Sequence, residues 1–248
     1  MKPQCWGKAS TVQTFVRGTQ GWLVDGERVQ VRLLDEDTAL ARTVARPAAD
    51  AARRELVTQT LWIEPGRWSP PSDEFADGFD GWLGMLILDG LMVRQIHAGG
   101  MRSCELLGPG DVIRPWDEAL ESFGSWRVLE PTRLALLDVD FAQRAHCCPG
   151  IAAELMRRTL TRSQTLGVLL ALTHARRADV RLRTLFWHLA DRWGRVTPDG
   201  VLLSLRITHS LIAQLTGLRR PSVSVTLGEL ERSGEILRLD RGTWLMRR

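Results

Sequence analysis

The stretch that decides the fold runs from Ile207 to Ile236, ITHSLIAQLTGLRRPSVSVTLGELERSGEI. Its first segment opens at Thr208, whose hydroxyl suits a helix N-cap because it can accept from one of the unpaired N–H groups of the first turn. That helix would turn Leu211, Ile212 and Leu215 inward and stop at Gly217. A second helix starts near Arg220-Pro221, where the N–H that proline lacks would have been unpaired anyway. It repeats Val223, Leu227 and Leu230 at core spacing. Two short helices joined by a three-to-four-residue turn that contains glycine form a helix-turn-helix. Beyond Gly234, the segments Ile236–Leu239 and Thr243–Met246, joined by Asp240-Arg241-Gly242, predict a hairpin that would serve as a wing.

The Arg219-Arg220 pair is out of place for a helix on its own, because the dipole favours acids at an N-terminus. In a helix-turn-helix the same position enters the DNA major groove, where arginine can donate two hydrogen bonds to guanine O6 and N7. The free N–H groups of that turn also suit phosphate. The candidate DNA-binding residues are therefore Thr208, His209, Arg219, Arg220, Ser222, Ser224, Val225 and Thr226, with Arg238 and Arg241 from the wing. The charge distribution agrees. Residues 1–150 carry 16 basic and 21 acidic side chains, whereas residues 151–248 carry 17 and 8. A basic C-terminal part beside an acidic N-terminal one predicts a polyanionic partner. Lysine occurs only at Lys2 and Lys8, so the placement of the arginines carries more weight than their number.

A chain of 248 residues can bury a substantial core as one or two domains. No apolar run reaches 18 residues and no signal-peptide core stands at the start, which predicts a soluble, cytoplasmic protein with no membrane partner. Cys5, Cys104, Cys147 and Cys148 show no CxxC spacing, so neither a disulfide framework nor a zinc ribbon is expected, and no metal site is assigned. Cys147-Cys148, after His146, reads as a packed corner.

Upstream of the helix-turn-helix the texture changes several times. Residues 1–30 read as a leader without sustained period, and Val31 to Thr60 as one or two helices. Between Leu61 and Asp138, short apolar runs alternate with turn signals, which predicts a small antiparallel roll or sandwich. Within it, Gly81–Leu88 and Leu91–Val93 read as a hairpin turning at Asp89-Gly90. Arg102–Leu107, Ser125–Leu129 and Thr132–Leu137 supply further strands. After Pro149-Gly150 the pattern is helical to Ala175, with Ile151, Leu155, Leu166, Leu169 and Leu172-Thr173 near one face and Arg158, Thr159 and Arg162 interrupting it. A helix this long is expected to form a dimer seam. Another helix begins at Asp179, with Val180, Leu182, Leu185, Phe186, Leu189 and Trp193 apolar, and stops at Gly194. Val201–Leu205 is a strand candidate.

In order, these features resemble the CRP/FNR transcription regulators. The match is strongest over Ile207–Ile236, and it extends to Leu106-Leu107-Gly108-Pro109-Gly110-Asp111-Val112-Ile113, which is similar to the family's glycine-rich turn before the effector pocket. The resemblance implies an α+β chain in four parts: 1–55 leader and N-terminal helices, 56–145 a cyclic-nucleotide-binding-like β-roll, 146–176 a dimerisation helix, and 177–248 a winged helix-turn-helix. It implies a homodimer on a near-palindromic double-stranded site, admits RNA polymerase as a protein partner, and assigns no catalytic residue. Arg220 matches the family's base-reading arginine, while Pro221 and Val225 depart from the usual residues, so a different operator is expected.

By the same resemblance an effector pocket would use Gly108, Gly110, Asp111, Arg114, Trp116, Asp117, Glu118 and Arg127. The matched cradle for a cyclic phosphate is missing, since Gly-Glu does not follow the turn and Arg127 precedes Val128 rather than serine or threonine. Cyclic AMP is not expected, no cofactor is predicted, and any small-molecule effector is left unidentified. Cys5 alone cannot supply an iron–sulfur cluster, and His97, beside Gly99-Gly100, reads as a turn residue. Two other classes compete with a DNA-binding regulator. A cupin-like metal enzyme would need several converging histidines and carboxylates, and a winged-helix adaptor would bind protein or RNA.

Overall fold

The computed structural model describes residues 29–70, 81–98, 101–116 and 123–247. The leader over 1–28 and the pocket candidates Asp117 and Glu118 lie outside them. The chain opens with β1 (Val29–Arg32), followed by three short helices, α1 (Leu33–Glu36), α2 (Thr38–Ala41) and α3 (Ala49–Glu55). The one or two helices expected up to Thr60 are thus replaced by three short ones, and by Val57 the chain is already in β2 (Val57–Ile63). Then come β3 (Gly66–Trp68), β4 (Gly84–Ala98), β5 (Met101–Leu107), β6 (Val112–Ile113) and β7 (Phe123–Leu137).

These strands form one antiparallel sheet in the order β1-β2-β7-β4-β5, with β3 on β7 and β6 on β4. The expected hairpin at Asp89-Gly90 is a correction. β4 runs straight through these residues as one 15-residue strand, and the register against β7 shifts on both sides of Asp89. Asp-Gly here makes a bulge, a kink that adds a residue without reversing the chain. Gly90 sits at φ 94°, and a Cβ there would collide with the Pro131 carbonyl and the Thr132 hydroxyl, so both the conformation and the space demand glycine. Ser125–Leu129 and Thr132–Leu137 likewise belong to the single strand β7. One side of this sheet packs Trp68, Met85, Met92, Ile113, Trp126 and Leu134 into an inner core.

From β7, α4 (Val139–Ala145) leads into α5 (Pro149–His174). The apolar residues anticipated as the seam, Ile151, Leu155, Leu169 and Leu172, are buried against the chain's own roll and C-terminal winged part. Arg158 and Arg162 continue this inward stripe, and they are not interruptions. Arg158 pairs with Asp37 at 2.6 Å and with Glu154 at 2.9 Å, while Arg162 grips Glu105 through two bonds of 2.6 and 2.8 Å. On the opposite side, Ala153, Met156, Leu160, Ser163, Gly167, Leu170 and His174 recur at alternating steps of four and three and are all exposed. Met156, Leu160 and Leu170 are 61, 57 and 64% exposed, and a Cβ on Gly167 would meet nothing. This second stripe has the 3.5-residue spacing of a coiled-coil seam.

The Arg158 cluster predicts acid lability. Hydrogen bonding from Arg157 outweighs desolvation and, with Arg158, holds Glu154 at about 2, below its ordinary 4.5. Burial pushes Asp37 up, but the Arg158 hydrogen bond and the backbone donors Leu40 and Ala39 bring it below its ordinary value. Both folded values lie below the unfolded ones, so the stabilisation is present above pH 4.5 and lost as pH falls towards 2. A urea midpoint followed against pH should fall across that window, and Glu154→Gln should flatten part of the fall.

After α5 come α6 (Ala178–Trp193), β8 (Gly194–Thr197), β9 (Gly200–Ser204), α7 (His209–Thr216), α8 (Arg220–Arg232), β10 (Ile236–Arg238) and β11 (Thr243–Met246). Gly194 ends α6 as expected, in extended backbone that passes directly into β8. The second sheet is antiparallel in the order β10-β11-β9-β8. Its core joins the roll: Leu91, Val93, Cys104 and Leu106 from β4 and β5 lie in one apolar cluster with Phe186, Ile207, Leu211, Leu215, Leu227 and Trp244.

Candidate nucleic-acid interface

Thr208 caps α7, its Oγ1 accepting from the Leu211 N–H at 3.2 Å. α7 then ends at Gly217, whose left-handed φ of 65° lets its N–H bond the Ala213 carbonyl. Arg181 fixes the same corner by donating to the Thr216 carbonyl at 3.0 Å and to Ala175, at the end of α5, at 2.7 Å. The turn between the helices is therefore set both by local sequence and by a clamp from α6.

α8 buries Val223, Thr226, Leu227 and Leu230. Thr226, a candidate for DNA contact, is a correction: three residues after Val223 and four before Leu230, it faces the core. Arg219, Arg220, Ser222, Ser224 and Val225 face outward, Val225 at 63% exposure. Arg219 occupies the N-cap position without a side-chain cap bond, and Pro221 stands in the first turn. Among the described residues neither Arg219 nor Arg220 has a carboxylate partner.

His209 ties the two helices together, its Nδ1 lying 2.9 Å from the Ser224 Oγ, which also reaches the Arg220 carbonyl at 3.2 Å. Burial first, then the charges of Arg238 and Arg220, push the imidazole below its ordinary value. The wing arginine and the α8 arginine thus both act on one histidine. Arg238 stacks over Trp244 at 5.3 Å and donates to the Asp240 carbonyl at 3.0 Å. Asp240 accepts from Gly242 N–H at 2.7 Å and the Thr243 hydroxyl at 2.9 Å, shaping the wing turn beside exposed Arg241.

Sequence reasoning does not single out Gly228. It lies one turn beyond Ser224 and Val225 on the outward side of α8, and a Cβ there would meet nothing within the chain. Glycine inside a helix costs about 1 kcal/mol against alanine, and no internal packing requires it here.

The effector-pocket candidates are put to other uses. Gly108 lies under the Trp193 ring of α6. Asp111 is buried, accepts from the Gly108 N–H at 2.8 Å and pairs with Arg192 of α6. Gly110 takes a φ of 91° in the same turn. This turn therefore joins the roll to α6. Arg114 donates to the Trp82 carbonyl at 2.7 Å and lies against Trp116, which meets Trp82 edge-on. Arg127 points out of β7 between buried Trp126 and Val128. Among the described members, Gly108, Gly110 and Asp111 share one turn, Arg114 and Trp116 lie beside Trp82, and Arg127 stands exposed on β7. A cleft of about 170 Å³ does open at Arg67, Trp68, Ser125 and Trp126, but it is small beside the ~300 Å³ at which ligand pockets usually begin.

Among the described residues no group of three or more histidine, cysteine, aspartate or glutamate side chains could hold a metal ion. No helix is long and apolar enough to cross a membrane.

A roll of antiparallel strands, a long helix with an open outward stripe and a capped helix-turn-helix with a β-wing define a winged helix-turn-helix architecture. Residues 180–247 match the Crp-like helix-turn-helix domain. The regulatory protein CysR of Synechococcus elongatus is 32% identical over 148 residues, which cover 58% of this chain and 65% of CysR, just under two thirds of that relative's length. In fold, a cyclic nucleotide-binding domain containing protein from Listeria monocytogenes superposes with a TM-score of 0.61 at 15% identity, over 85% of this chain and 96% of that one. A CooA variant from Carboxydothermus hydrogenoformans gives 0.60 at 17%, over 88 and 90%, and FixK2 from Bradyrhizobium japonicum gives 0.57 at 16%, over 77 and 93%. Over residues 180–247 the chain thus carries a Crp-like helix-turn-helix domain.

Proposed function

We propose that the chain is a sequence-specific transcription regulator that binds double-stranded DNA as a homodimer. The observation that carries this reading is the pair of exposed arginines at the opening of α8, which have no carboxylate partner among the described residues. Arg220, Ser222, Ser224 and Val225 would face base edges in the major groove. Arg219, Arg238, Arg241 and the N-terminus of α7 would neutralise or bond phosphates. Two copies would place their α8 helices in successive major grooves, one helical turn apart. Footprinting of genomic DNA tests this: protection of near-palindromic sites with half-sites one turn apart is expected. Retention that random competitor DNA removes equally well would instead favour an RNA- or protein-binding adaptor.

On this reading the seam is the outward stripe of α5. Met156→Glu with Leu160→Glu places charges where the dimer would bury apolar surface, while both side chains are largely exposed in the single chain. Sedimentation equilibrium at micromolar concentration should show a dimer for the parent and a monomer for the double variant, with unchanged helical content. A monomeric parent, with and without DNA, would remove the seam.

The roll, on this reading, does not respond to cyclic AMP. Asp111 and Gly108 are engaged with α6, and Arg127 is exposed on β7. Any effector would act by shifting α5 and the spacing of the two recognition helices.

A further inference from the structure

The corner between α4 and α5 holds two thiols that the DNA-binding reading does not use. Cys147 is exposed and Cys148 is buried at the N-cap of α5, in one cluster with Phe141, Ala145, Ile151 and Leu155. Their sulfurs stand 3.6 Å apart. The Cys147 thiol donates to the Arg144 carbonyl at 3.1 Å, which holds its side chain on the same side as that of Cys148.

Adjacent residues across a trans peptide have Cα atoms about 3.8 Å apart, short of the ~4.4 Å at which ordinary disulfides begin. A direct S–S bond therefore suits this corner poorly. One bridging atom suits it well. With metal–sulfur bonds of about 2.3 Å, sulfurs 3.6 Å apart subtend an angle of roughly 100° at the bridge. That is the pyramidal geometry of a trivalent group-15 element. A linear two-thiolate ion such as mercury(II) would need a wider span, and structural zinc would need further donors, which are absent among the described residues.

We propose that Cys147 and Cys148 form a chelating site for a trivalent arsenic or antimony species. For a monosubstituted arsenical, R–As(OH)₂ and two thiols give a cyclic R–As(S)₂ and two waters. Two S–H and two As–O bonds break and two As–S bonds form, while each thiol proton leaves on a hydroxide. Arsenic stays trivalent, so no oxidant or reductant takes part. Exposed Cys147 attacks first, and Cys148 then closes the ring within the side-chain separation already present.

The test is intact-mass spectrometry of the reduced full chain with one equivalent of phenylarsine oxide and excess glutathione, which strips arsenic held by a single thiol. One adduct that replaces two thiol protons is expected for the parent, for Cys5→Ser and for Cys104→Ser, with arsenite displacing the probe. Cys147→Ser and Cys148→Ala should each lose it. Persistence of the adduct in Cys147→Ser, or its removal from the parent by glutathione, overturns the proposal. Cys147 is exposed, so its variant keeps the fold and decides the matter even where a change at buried Cys148 disturbs packing.

Discussion

Arg220→Ala is expected to abolish sequence-specific retention of DNA while leaving the thermal transition of the protein where it was. The side chain lies outside the core and has no acidic partner among the described residues, so its removal opens no cavity and strands no charge. Surface substitutions of this kind change stability by about 0.5 kcal/mol or less, and Pro221 still opens the helix. A bidentate arginine–guanine contact discriminates against the wrong base by ~1–3 kcal/mol. A two-fold complex uses the contact twice, which gives about 2–6 kcal/mol, or roughly 30-fold to more than 10⁴-fold in affinity. Arg219→Ala should behave differently. On the proposed reading Arg219, at the N-cap, would face phosphate, so its loss should weaken all sequences alike and lower the salt slope by about 1 for each contact. A gel-shift titration of both variants against the footprinted site and random DNA separates the two roles. If Arg220→Ala binds its site as tightly as the parent, α8 is not the reading element.

The parts legible in the sequence are those whose determinants are local. The Thr208 cap, the left-handed Gly217, Pro221 in the first turn of α8 and the wing turn at Asp240 each act within four residues, and all four are found as read. Asp89-Gly90 was ambiguous because a tight turn and a bulge ask the same of glycine, and the choice is made by β7, which pairs with the chain on both sides of it. The inward stripe of α5 was misread for a similar reason. Arg158 and Arg162 look like flaws in an apolar face until Asp37 and Glu105, each distant in the chain, are brought to meet them. Asp111 was read from its place in a family motif, whereas its partner Arg192 lies in another part of the fold. Of the four residues that the sequence leaves between core flank and solvent, Ser222, Ser224, Val225 and Thr226, only Thr226 is buried, at the spacing from Val223 and Leu230 that continues the core face.

Arg162→Met is expected to cost the most stability of any single change outside the apolar cores. Glu105 is 1% exposed, and its carboxylate is held by both guanidinium arms of Arg162. Arg94 stands further off at 3.8 Å. Arg162 also bonds the Val112 carbonyl at 3.2 Å, so one side chain joins α5 to β5 and to β6. A buried ion pair contributes little net energy over an apolar pair of the same shape, because desolvation of both charges offsets their attraction. Breaking it from one side is another matter. The abandoned carboxylate stays in a low-dielectric setting, at a cost of about 3–5 kcal/mol. For a chain of this size that lowers the melting temperature by roughly 6–20 °C. Adding Glu105→Gln to Arg162→Met removes the stranded charge and should recover much of the loss, a coupling that a double-mutant cycle reads directly. The same cycle bears on function, because the pair fixes α5 to the roll with its Met156–Leu170 stripe turned outward. Arg162→Met should therefore weaken dimerisation without touching a seam residue, and the double variant should restore it alongside the melting temperature. A melting temperature within 2 °C of the parent for Arg162→Met would mean that α5 is held to the roll by its apolar contacts alone.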